Sequence, residues 1–142
     1  MSLNRRTKLL FIEAYLYLGW ARFLVYLPFS WVAPYLGEQM RESPFCLERA
    51  HIITIKHIYN AIKVMSRHTL WESACLVRAI AALKMLQRRN IESTLYLGTA
   101  KDENAKLIAH AWLRSGPFYI TGAEEMKKFA VAGKISPMIK NS

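Results

Sequence analysis

Apolar residues crowd the chain from Arg5 to Leu27, where Leu, Ile, Phe, Tyr and Val follow one another and Glu13 and Arg22 interrupt the run. The pattern predicts a core-packing amphipathic helix that can also rest on a membrane or a partner. A membrane span and a signal peptide are the competing readings. The longest uncharged run, Phe23 to Gly37, contains Pro28 and Pro34 and is shorter than the ~20 apolar residues a span needs. No small-residue cleavage site follows a compact apolar core. Next, Ser43-Pro44 reads as an N-cap followed by proline at the first helical position. A helix is expected from Pro44 to about Arg67, with Ile52, Ile55, Tyr59, Ile62 and Met65 inward. A further helix is expected from about Ala74 to Arg89, because Leu76, Ala79, Ile80, Leu83 and Leu86 recur at helical spacing. Ser73 is its expected N-cap. Arg88 and Arg89 suit the negative end of its dipole, and Asn90 suits a left-handed stop.

After Asn90 the period falls to two. Strands are expected over about 93–99, 107–114, 117–122 and 128–135, with Ala100 to Lys106 as a polar connection and Ser115-Gly116-Pro117 as a turn. The expected fold class is α+β, helices packed on a small antiparallel sheet. We read residues 1–142 as a single domain, helical over 1–67 and built of one helix plus the sheet over 70–135. Alternation puts Ile108, His110, Trp112 and Arg114 on one face of a strand, and Leu107, Ala109, Ala111 and Leu113 on the other, packed face. If Ser115 and Gly116 form a two-residue hairpin turn, Arg114 pairs with Pro117 and Thr121 lies opposite His110.

Two residues in this arrangement carry chemistry. Cys75 falls in the first turn of its helix, where unpaired N–H groups and the positive dipole end stabilise a thiolate. His110 follows 35 residues later on a strand. Thiolate and imidazole are the two halves of a nucleophilic site. Taken singly, Cys75 reads as a small buried hydrophobe and His110 as a satisfied structural residue. Cys46 also lies in a first helical turn, so helix position alone does not single out Cys75. His51, His57 and His68 have no evident partner and are read as surface or helix-end residues. The group that orients His110 stays open: Thr121, a backbone carbonyl, Glu124 or Glu125 all qualify, and Asp102 is a weaker candidate.

Composition narrows the classes. The chain has 142 residues, 53% of them hydrophobic, enough for one real core. Two cysteines and no secretion signal argue for a reducing cytosol. No Cys/His cluster has zinc-ligand spacing and no Gly-rich phosphate loop is present, so neither a metal nor a cofactor is expected. The net charge of +10 is spread along the chain, as on solvated helix faces, yet a field of this sign steers acidic partners. Nucleic acid is the runner-up partner class. It lacks support, because the aromatics are not interleaved with Arg and Lys on a sheet.

Cys75-Leu-Val-Arg78, then Leu95-Tyr-Leu-Gly98, then Ala109-His-Ala-Trp-Leu113 resemble the transglutaminase-like cysteine peptidases of lasso-peptide biosynthesis, over roughly residues 70–135. The resemblance implies a papain/transglutaminase-like fold and removal of the leader from a lasso precursor by Cys75 and His110. It implies a stand-alone peptidase in the cytoplasm, with peripheral membrane contact open through the N-terminal helix. The implied partners are the lasso precursor peptide, a separate leader-recognition protein and an ATP-dependent lasso cyclase. The wider fold orients its histidine with an Asp on the following strand. Here that strand holds no Asp, and Thr121 is the position that the hairpin count favours. A generic thiol acyltransferase or amidase and a non-catalytic basic protein at a membrane surface are the alternatives.

Overall fold

The computed structural model describes residues 5–25, 27, 29–40, 42–45, 49–67, 75–123 and 126–137. Among the described residues, four α-helices and five strands follow one another: α1 (Arg5–Leu24), α2 (Phe29–Leu36), β1 (Glu38–Gln39), α3 (Arg49–Met65), α4 (Cys75–Arg88), β2 (Thr94–Lys101), β3 (Leu107–Ser115), β4 (Phe118–Thr121) and β5 (Ala130–Ser136). The strands form one antiparallel sheet in the order β1-β5-β2-β3-β4. The α+β class expected from the patterning is what the chain adopts. The short α2 and β1 were not expected.

Helix α4 is the hub. Val77, Ala79, Ile80, Ala81, Ala82, Leu83, Met85 and Leu86 are all buried, which is the mark of a helix enclosed on most sides. Its small residues let α1 come close, while its larger ones pack with Leu95, Ala111, Leu113, Ile120 and Ile135 of the sheet in one core. The helix stops where the pattern expected. Asn90 takes a φ of 58°, its N–H bonds the Gln87 carbonyl, and the Ile91 N–H reaches back to the Leu86 carbonyl at 3.0 Å. That pair of bonds is a Schellman motif, and buried Ile91 and Leu86 supply its hydrophobic contact.

Helix α1 carries a buried acid. Glu13 pairs with Arg88, and Arg89 Nη2 lies 2.6 Å from its other oxygen. The charges at the end of α4 were read as a solvated face; they neutralise Glu13, which lies on the α4 side of α1.

Three expectations need correction. Ser43 does not cap a helix: residues 42–44 have no regular structure and α3 runs from Arg49. Its N–H and hydroxyl instead meet the Thr94 hydroxyl at 2.8 and 2.7 Å, so the segment is anchored to the sheet. On α3 the buried set is Ile55, Ile58, Ala61 and Ile62, while Tyr59 is exposed. The β3–β4 turn is Gly116-Pro117, with Ser115 opposite Phe118 and Arg114 opposite Tyr119. A shift between Leu113 and Arg114 then sets Thr121 opposite Leu113, three residues from the expected partner, His110.

Candidate active site

Cys75 opens α4 and is half-buried. Its sulfur accepts a bond from Arg78 Nη2 at 3.5 Å, one turn along the same helix, which sets a fixed positive charge beside it. Ser73, the expected cap, and Cys46 lie outside the described residues.

His110 sits where β3 passes from exposed to buried: Leu107, Ile108 and Ala109 are exposed, and all residues from His110 to Ser115 are buried. Only one face was expected to be covered; both are. Ala111 and Leu113 join the core with α4, whereas His110, Trp112 and Arg114 lie under an aromatic layer. The imidazole stacks between Trp112 at 5.8 Å and Phe129 at 5.1 Å, and Trp112 stacks on Tyr96 at 5.6 Å. Gly98, opposite His110 on β2, makes this possible. A Cβ there would stand 2.7 Å from the Trp112 ring and 2.8 Å from Phe129 Cβ.

The orienting group is a main-chain carbonyl. His110 Nε2 lies 2.8 Å from the Gly122 oxygen. A carbonyl only accepts, so Nε2 carries the hydrogen, and the neutral ring presents its free lone pair at Nδ1. Gly122 holds that oxygen in place with a φ of 72°, a conformation costly for other residues. A Cβ at Gly122 would stand 2.5 Å from the Ala111 oxygen and 3.0 Å from His110 Nε2. The bond therefore comes from the residue after Thr121. The Thr121 hydroxyl is buried and has no hydrogen-bond partner among the described residues. Asp102 turns its carboxylate onto the N–H groups of Asn104 and Lys106 in the β2–β3 loop, so it shapes that loop. Glu124 and Glu125 lie outside the described residues.

Arg114 closes the far end of the aromatic face. It is fully buried, and its guanidinium bonds the Ser43 carbonyl at 2.7 Å, the Pro44 carbonyl at 3.0 Å, the Gly116 carbonyl at 2.8 Å and the Tyr96 hydroxyl at 2.9 Å. The Phe45 ring caps it at 3.6 Å. Tyr96 in turn donates to Glu42 at 2.5 Å. Burial, and then that bond to a carboxylate, push the Tyr96 phenol up to about 12, against the opposing pull of Arg114. The sequence pattern assigned Gly98, Gly122 and Arg114 no part in holding His110 or its aromatic face. The isolated glycine within β2 was the available signal, because such a glycine marks close approach.

The structure thus joins His110 to Gly122 and Cys75 to Arg78. Among the described residues, no hydrogen bond joins Cys75 Sγ to His110. No group of His, Cys, Asp and Glu able to hold a metal occurs among them either.

A family model described as the transglutaminase-like superfamily matches residues 23–133. No curated protein and no solved structure matches the chain. The match spans well over half of the chain, so the protein belongs to the transglutaminase-like superfamily, which includes cysteine peptidases.

Proposed function

We propose that this transglutaminase-like chain is a cysteine peptidase that removes the leader from a lasso-peptide precursor. The observation that carries the catalytic part is the His110–Gly122 bond, which leaves Nδ1 as the ring's base in a chain whose hub helix opens on a cysteine. His110 takes the proton of the Cys75 thiol, and the sulfur attacks the scissile carbonyl to form a C–S bond. The C–N bond breaks as the imidazolium protonates the leaving amine. Water then hydrolyses the thioester and restores the thiol. The Cys75 N–H, in the first turn of α4, contributes to the oxyanion hole. The mechanism requires Sγ and Nδ1 to meet when substrate binds; because α4 packs on the Ala111 and Leu113 face of β3 and His110 lies on the other, that meeting takes a rearrangement around the start of α4 or around His110. The finer substrate assignment rests on the motifs around Cys75, Leu95 and His110. It brings with it the precursor and a separate leader-recognition protein as partners, an ATP-dependent cyclase as the enzyme that follows, and the cytoplasm as the site of action.

The test is incubation of the full chain with a lasso precursor and its recognition protein, with mass spectrometry of the products. Free leader and core are expected. Cys75→Ala and His110→Ala should each abolish cleavage, with the double variant little worse, since residues acting as one unit are not additive. Cys46→Ala should stay near wild type. Retained cleavage by Cys75→Ala would remove the mechanism. Intact precursor alongside turnover of a small amide would move the same dyad to an amidase or acyltransferase.

A further inference from the structure

Helix α1 is apolar on both sides, yet only one is covered. Ala14, Leu18 and Ala21 enter the core. Leu9, Ile12, Leu16, Trp20 and Phe23 recur at intervals of three and four, so they form one stripe, and they are between 38% and 65% exposed. The stripe runs about 21 Å along the helix, at 1.5 Å per residue. Five large apolar side chains in a row form a patch of the kind that marks an interaction site. Beside the stripe lies a groove of about 1020 Å³, walled by α1, by Thr54 and His57 of α3 and by the C-terminal end of α4. Its charged lining is Arg6, Arg88 and Arg89 against the single carboxylate of Glu13, so positive charge is in surplus.

We propose that this face docks an amphipathic helix of a partner protein, apolar along one stripe and carrying carboxylates where it passes Arg6, Arg88 and Arg89. The surface is concave and elongated, and helix-in-groove recognition uses apolar anchors at this spacing. The charge surplus selects an acidic partner. It also disfavours a second copy of this chain, because a two-fold pair would set the same cations against each other. A bilayer suits a projecting apolar edge better than a recess between three helices. The groove lies at the C-terminal end of α4, and Cys75 opens the other end of that 14-residue helix, about 20 Å away. A docked helix therefore leaves the thiol open, and the docking site stands independently of the peptidase reading.

The probe is a fluorescein-labelled helical peptide with Leu at helical spacing and Glu at the remaining positions, titrated with the full chain by anisotropy. A scrambled peptide of the same composition and phosphatidylcholine–phosphatidylglycerol vesicles are the comparisons. Saturable binding of the patterned peptide is expected, weaker by about tenfold or more for the scramble and for Leu16→Glu, a change to one side chain at the centre of the stripe. Arg6→Glu should weaken binding and flatten its salt dependence. Cys75→Ala should bind like wild type, so the docking site and the peptidase reading fail separately. Phe23→Ser serves in place of Leu16→Glu if that variant melts early. No saturable binding, equal binding of the scramble, or unchanged affinity in the stripe variants overturns the proposal. Vesicle binding without peptide binding overturns it in favour of a membrane, and dimerisation abolished by Leu16→Glu overturns it in favour of a second copy.

Discussion

The two faces of the sheet solve burial differently. Toward α4, Leu95, Ala111, Leu113, Ile120 and Ile135 meet a helix, and these side chains need no directional partner. On the opposite face, Tyr96, His110, Trp112 and Arg114 are as well covered, but by rings and carbonyls placed one by one. The first face holds the fold through volume. The second holds polar groups in fixed orientation, which a volume-filling layer cannot do, and the candidate base lies on that second face.

The largest expected effect is on the helix face. Leu113→Ala removes a fully buried side chain and should cost about 2–5 kcal/mol in chemical denaturation. Alkylation of Cys75 by iodoacetamide under native conditions should be unchanged. A loss below about 1 kcal/mol would erase the contrast between the faces. Next comes Arg114→Leu. It strands the carbonyls of Ser43, Pro44 and Gly116, at about 3 kcal/mol in total, since the outer ones can recover water. Hydrogen exchange should rise selectively at residues 42–45; uniform exchange would mean that another group anchors that segment.

Gly122→Ala probes the orienting carbonyl. Its strain should cost about 1–3 kcal/mol, and displacing the imidazole by an ångström is worth up to about a hundredfold in turnover. Thr121→Val and Asp102→Asn should keep most activity, because neither side chain bonds His110. A large drop in either, with normal melting, would return the orienting role to a side chain. The smallest effect is Tyr96→Phe, about 1–2 kcal/mol at neutral pH for two hydrogen bonds, one donated to Glu42 and one accepted from Arg114. Its pH dependence is the sharper readout. The fold holds the Tyr96 proton more tightly than the unfolded chain does. That stabilisation is therefore fully present below pH 10 and is lost as the pH rises through about 12. Wild type should lose stability more steeply than Tyr96→Phe across that window, and parallel curves would contradict the buried phenol.

The sequence by itself determined what depends on near neighbours. The span of α4, its stop at Asn90, the strand cores and the placing of Cys75 on a helix and His110 on a strand all follow from periodicity, capping and turn chemistry within a few residues. Tertiary structure decided whatever needs a distant partner. Glu13 pairs with Arg88, 75 positions away, and Ser43 with Thr94, 51 positions away, so neither pairing has a local signal. The β3–β4 register turned on which two residues close the hairpin and on one irregularity beyond it, and a shift of three removed Thr121 from His110. The group that took its place is a backbone oxygen. Every residue has one, so no sequence pattern marks it, and only the folded path of β4 into Gly122 brings it to the imidazole.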